Sequence, residues 1–349
     1  MTHTSICSRS IAAAIALTFA SVISTATAQT TATTVPVGFI TKTVPAAGAS
    51  PSNTVLSIPL YQTAAFQSSV ATTPTVGATS VTLNSATFTT TQFTTVPHLL
   101  RVKTGALTGK FWAIVATPAP GNVVSLKEPN SATGPGVADA VLTGLLAGDS
   151  CEILPANTFG STFGAIPGIG AGTAAGNAGV DNVLIYNGVS YDTYFFHSTN
   201  NRWQRGISNA TTAIIYPDDA VFFVRKAAST LPITLMGTVP STSERTELAG
   251  AKYNFVANRF PTDATLGTSG IETMPGWIKG TSASSSIDTV LLWNGSTFDT
   301  YFYHTTNNRW QRGISNATTT AISAASGLFI SRAAGSSDAV LTQNLPYTP

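Results

Sequence analysis

An internal duplication constrains this chain more than any other feature. Residues 181–226 align without a gap on 288–333, and TNNRWQRGISNATT recurs unchanged at 199–212 and 306–319. A repeated segment of this length is one supersecondary unit, so the fold must hold the same unit twice. Each copy reads as an antiparallel meander. Short apolar runs at 183–186 and 290–293 precede Asn-Gly at 187–188 and 294–295. That pair favours a two-residue hairpin, because both central residues need positive φ. The next strand alternates, with Tyr191, Thr193, Phe195 and His197 on one face and Asp192, Tyr194 and Phe196 on the other. Asn200-Asn201 supplies a second turn, Trp203 opens the return strand, and 220–225 closes the unit, matched by 327–332.

Composition agrees with strands throughout. Ser and Thr supply 90 of 349 residues, 56 of them Thr, and Gly 29 with Pro 19 provide turn formers. Thr, Val, Phe and Tyr suit pleated, half-buried surfaces. Only 9% of residues are charged and the net charge is +2. Without a polybasic face, nucleic acid is excluded as a partner. At 43% hydrophobic, the chain is also too apolar for a disordered one.

The order of segments predicts an all-β protein of two tandem antiparallel sandwich-like or barrel-like modules. Both end in the meander, and the first carries a small inserted β-barrel-like domain. The expected boundaries are a signal peptide at 1–28 and a first module at 29–60 plus 156–230. The insert falls at 61–155, the second module at 231–336 and a C-terminal tail at 337–349. Val44-Pro45, a loop and an Asn53-led strand echo Val239-Pro240, a loop and an Asn254-led strand. The Gly/Ala-rich stretch 160–179 reads as a flexible loop.

The first 28 residues read as an export signal. Arg9 is followed by an apolar stretch at 11–23, and Ala26-Thr27-Ala28 fits small-x-small cleavage before Gln29. Cleavage would leave no transmembrane segment in the mature chain, with 16 basic against 15 acidic residues. Cys151 would then be the sole cysteine, which forbids an internal disulfide and reads as a small buried apolar residue.

Two sets of residues stand at equivalent places: Tyr194, His197, Arg202, Trp203, Gln204 and Arg205, then Tyr301, His304, Arg309, Trp310, Gln311 and Arg312. One reading is a polar-aromatic patch, rings against a sugar face with His, Gln and Arg bonding its hydroxyls. The favoured reading packs both Trp in the core and uses each His to cap a strand end. Packing alone tolerates swaps of similar volume. An identical run therefore points to contact with something repeated: the other copy, another subunit or a polymer. Diverged flanks argue against a recent duplication.

Asn254-Phe-Val with Pro261, then VLLWNG, Tyr301, Trp310 and GLFI, resembles a module recurring in exported bacterial surface proteins. The chain over 35–336 also resembles a family of exported bacterial all-β proteins with this doubled arrangement. The resemblance implies fold and location and brings no catalytic residues. Copy one departs at its finish, where Asp219-Ala220 replaces the usual Gly pair.

Enzyme motifs fail. There is no G-x-S-x-G elbow and no HExxH helix. Gly168-Ile-Gly170-Ala-Gly172 is a weak echo of a phosphate loop without its Lys-Ser/Thr pair. Asp192 and Asp299 are single acids on their strands, and Asp218-Asp219 has no counterpart at Ala325-Ser326. The sequons at Asn209, Asn294 and Asn316 are chance matches in a Thr-rich chain. An outer-membrane barrel is disfavoured by short, Pro-broken strands. The expectation is a secreted or cell-envelope protein, non-catalytic, without cofactor or metal. Its role is structural or adhesive, with itself, other envelope components or polysaccharide as partners. A carbohydrate-binding protein and an extracellular hydrolase are the alternatives.

Overall fold

The computed structural model describes residues 36–348, apart from 85–86, 90, 117–120, 131–133 and 165. The expected signal peptide and its cleavage site lie outside the described residues. The chain is nearly all β, and no helix among the described residues is long and apolar enough to cross a membrane. The first copy opens with β1 (Val37–Val44) and β2 (Ser52–Ser57). Seven strands follow: β3 (Phe66–Ser69), β4 (Ser80–Thr82), β5 (His98–Val102), β6 (Phe111–Ala116), β7 (Val123–Asn130), β8 (Gly134–Asp139) and β9 (Ser150–Pro155). The chain then returns through α1 (Phe159–Thr162), β10 (Asn182–Tyr186), β11 (Tyr191–His197), β12 (Arg202–Arg205), β13 (Ser208–Asn209), β14 (Ala220–Arg225) and β15 (Leu231–Thr238). The second copy runs through β16 (Glu244–Leu248), β17 (Tyr253–Ala257), β18 (Ala264–Thr265), β19 (Thr289–Trp293) and β20 (Phe298–His304). It ends with β21 (Arg309–Arg312), β22 (Ser315–Asn316), β23 (Ala321–Ile322), β24 (Gly327–Ser331) and β25 (Ala339–Gln343).

Two six-stranded sheets have the same order, β13-β12-β11-β10-β14-β2 and β22-β21-β20-β19-β24-β17. Each covers its inner face with a two-stranded ribbon, β1-β15 or β16-β25. The ribbons move both expected boundaries. Leu231, Ile233 and Leu235 pack in the first core, so 231–238 closes copy one and does not open copy two. Residues 339–343 are not tail: β25 pairs with β16 and buries Leu341 in the second core. Burial parity also shifts the strand match by one residue. Val55 opposite Phe222 corresponds to Phe255 opposite Phe329, so the mate of Asn254 is Thr54, not Asn53.

The segment 66–155 makes its own sheet, β3-β9-β5-β6-β7-β4 with β8 on β7, around its own core of residues such as Leu100, Trp112 and Ile153. Two turn and loop expectations are corrected. Tyr186 pairs with Tyr191, leaving a four-residue connection, and only Gly188 of the Asn-Gly pair has positive φ. Asn187 Oδ1 instead accepts the backbone N–H groups of Val189 and Ser190. The stretch 160–179 is built into the fold. A Cβ on Gly170 would overlap the carbonyl oxygen of Gly179, and Gly172 bridges to His197.

The two copies stack back to back. Phe222 lies on Phe255 with ring centroids 5.1 Å apart, Phe255 lies on Phe329 at 4.3 Å, and Trp293 Nε1 donates to the carbonyl of Asn53 at 3.0 Å. β14 sits on β17, and β2 on β24. Residues of the neighbouring β10 and β19, with Phe298 at the start of β20, complete the apolar layer, and the stacked strands overlap in reversed order. The β11–β13 and β20–β22 hairpins therefore leave the pair on opposite flanks. A Cβ on Gly327 would overlap that of Ala220, its own equivalent, and lie 2.7 Å from the oxygen of Val256. Where the copies meet at these equivalent residues, one keeps a methyl and the other must lack it.

Gly327→Ala is expected to cost ~1–3 kcal/mol in urea unfolding through overpacking. Adding Ala220→Gly should recover part of that loss. Simple additivity of the two costs would contradict the contact.

Candidate functional site

The doubled hairpins fold as they do because their side chains satisfy one another. His197 Nδ1 accepts the N–H of Asn200 at 3.1 Å, as His304 accepts that of Asn307. Each imidazole therefore closes its four-residue turn, and when neutral it carries its proton on Nε2. Asn201 and Asn308 take the left-handed conformation at φ 47°. Buried Gln204, its amide oxygen facing the guanidinium, accepts from Arg202 Nε and Nη2 at 3.1 Å and from Asn200 Nδ2 at 2.9 Å. Gln311 does the same for Arg309 and Asn307.

The rings point inward. Trp203 is 1% exposed and Trp310 0%. Trp203 packs on Phe159, Phe163 and Phe196 and donates its indole N–H to the carbonyl of Gly164 at 2.9 Å. Trp310 packs on Trp277 and Tyr303, with Glu272 Oε2 3.3 Å from its Nε1. Tyr194 and Tyr301 are also buried, and burial pushes both phenols above their ordinary values. Arg205 and Arg312 lie on the same face as these tyrosines, at its solvent-exposed margin, and pair with Asp192 at 3.1 Å and Asp299 at 2.6 Å.

The twelve residues thus come together as two separate sixes on opposite flanks, and within each six the Tyr, the Trp and the second Arg share one strand face while the His, the first Arg and the Gln share the other. No sugar-stacking platform forms from Trp203 or Trp310. Further along the identical run, Asn209 Oδ1 accepts the N–H of Thr211, whose methyl fills the space beside Gly160. Asn316, Thr318 and Gly267 repeat this arrangement. Hydrogen bonding and close packing inside each unit therefore account for most of the identity. Ile207 and Ile314 stand outside that network, each 93% exposed at the tip of its Gly-Ile turn.

Sequence reasoning missed two buried charge systems. The first is duplicated: Asp181 pairs with Arg225, and Asp288 Oδ1 lies 3.2 Å from Arg332 Nε. Arg225 also donates to the carbonyl of Gly168, and Arg332 to that of Gly276, both at 2.9 Å. Gly168 is thereby a packed acceptor and not part of a phosphate loop. The recurring Asp before each apolar run and Arg after each closing strand was the available signal. The second system joins all three parts of the molecule. Glu244 of copy two is shared by Arg101 of the insert and by Arg259, and Tyr61 OH donates to its Oε2 at 2.7 Å. Burial drives the Tyr61 phenol up. Arg101 reaches Glu152 at 2.7 Å and lies over the Tyr61 ring at 4.5 Å. These partners lie far apart in sequence, so no local pattern announces them.

A cavity of about 390 Å³ opens beside the C-terminal strand, lined by Phe260, Ile322 and Leu345 with Asp263 as its single acid. One carboxylate does not make the acid pair of a glycosidase. No group of three His, Cys, Asp or Glu residues stands ready for a metal among the described residues. No protein-family model, curated protein or solved structure matches the chain.

Trp203→Ala should cost ~3–5 kcal/mol in urea unfolding, the value for an emptied aromatic site. Ile207→Ser should change stability by less than ~0.5 kcal/mol. Equal effects would contradict the inward placement of the ring.

Proposed function

We propose that this is an exported, non-catalytic structural or adhesive protein of the cell exterior that assembles through its β faces. The observation that carries the reading is the division of labour in the doubled hairpins. Their rings and most of their polar groups serve the fold itself, while both identical tips offer an isoleucine to the outside. Paired positions on opposite flanks suit a unit that touches neighbours at more than one place. A chain with 9% charge also lacks the charged residues that guard many sheet edges against pairing. The carbohydrate-binding alternative is weakened because Trp203 and Trp310 face the cores. The hydrolase alternative lacks a pair of converging acids at the cavity.

Export and cleavage after Ala28 belong to the same proposal, with Gln29 as the first residue of the mature chain. Sedimentation velocity on protein recovered from the culture medium or envelope tests the reading. Larger species that grow with concentration are expected. A strict monomer at every concentration, retained on insoluble polysaccharide, would overturn it.

A further inference from the structure

The two ribbons are equivalent in construction and unequal in what covers them. β1 and β15 pair from Val44 opposite Leu231, and β16 and β25 pair from Leu248 opposite Ala339. Counting back from those ends, Phe39 matches Ser243, Thr41 matches Arg245 and Thr43 matches Glu247. In copy two the insert covers the β16 side of this outward face, while Thr342 on β25 stays exposed. Gly109 lies so close that a Cβ there would stand 2.6 Å from the oxygen of Ser243 and 2.7 Å from the nitrogen of Arg245. Lys110 pairs with Glu247 at 2.7 Å, and Lys103 donates to Ser241 at 2.9 Å.

One chain has two ribbons and a single insert, and no described segment covers the equivalent face of copy one. It is also strongly apolar. Phe39 stands directly opposite Met236, and these are 74% and 70% exposed, with Val37 at 72% beside them. The rest of the face is Thr41, whose hydroxyl bonds that of Thr234 at 3.0 Å, with Thr43 and Pro232. Lys42, the one charged residue of the two strands, belongs to the opposite parity.

We infer that a second copy of this chain covers the Val37/Phe39/Met236 face through a two-fold contact of ribbon on ribbon. The inference rests on the self-assembly proposed above and names its first contact. A two-fold axis sets a patch against its own image, so any charge near the axis meets a like charge. This face carries none, whereas the basic surface that covers copy two's ribbon fits acids that copy one's ribbon lacks. A ribbon of eight residues offers a face of roughly 27 Å by 10 Å. That is small beside the about 800 Å² per partner of a standard interface, so the dimer forms and dissociates with concentration.

The test compares the wild-type chain with Phe39→Asp and Met236→Cys. Phe39 is exposed, so the Asp variant should keep the far-ultraviolet spectrum while its dimer dissociation constant rises by about tenfold or more. Mild oxidation should convert Met236→Cys into a disulfide-linked dimer. Cys151 cannot supply that link, because it is buried and its thiol is pushed up to about 12. A wild-type dimer that survives Phe39→Asp and leaves Met236→Cys uncrosslinked overturns this contact and spares the proposed function. A wild-type chain that never associates overturns both.

Discussion

The molecule depends on one apolar layer, the stack of Phe222, Phe255 and Phe329 with Val55 and Trp293 between the backs of two sheets. Each sheet has an inner face sealed by its own ribbon, and each would otherwise expose an outer face of aromatic residues. Burying those faces against each other makes one body of the duplicated unit. The reversed overlap follows from nearly equal units packing by nearly equal surfaces, and it sends the two hairpins to opposite flanks. Equivalence at the contact also has a steric consequence: two methyls cannot occupy one place, and the chain resolves this with Ala220 against Gly327.

Charge is scarce, and much of it is spent inside. The Asp181–Arg225 and Asp288–Arg332 pairs fix the start of each meander to its last strand. Glu244, shared by Arg101 and Arg259, ties insert and copy two together at the place where Tyr61 leaves copy one. Buried pairs of this kind add little net stability over apolar replacements, but breaking one partner leaves an uncompensated charge. Their effect here is to fix geometry, holding the insert over the ribbon of copy two.

Much of the fold was legible because it rests on short-range patterns. Alternation located the meander strands, and the repeat gave the shared strand order of both sheets. The favoured of the two readings of the Trp rings, packing in the core, agrees with their burial. Their indole N–H groups find partners outside the hairpin, Trp203 a backbone carbonyl and Trp310 a carboxylate. The misjudged boundaries share a cause. β15 and β25 are set apart only by their partners β1 and β16, which lie more than a hundred and about ninety residues away. The loop at 160–179 misled because glycine signals freedom in a sequence and close approach in a packed core. The shared-contact argument from TNNRWQRGISNATT undervalued hydrogen bonding, since an Asn, Arg and Gln that bond one another resist substitution as firmly as a binding surface.

The central claim is that the aromatic rings of the doubled hairpin are sealed inside while the isoleucines at its tips meet the surroundings. Hydroxyl-radical footprinting of the native protein, read residue by residue by mass spectrometry, tests it most directly. Trp203 and Trp310 should be modified only after unfolding, while Ile207 and Ile314 react at once in the native state. Rapid oxidation of either indole in the folded protein, with the isoleucines protected, would contradict the account.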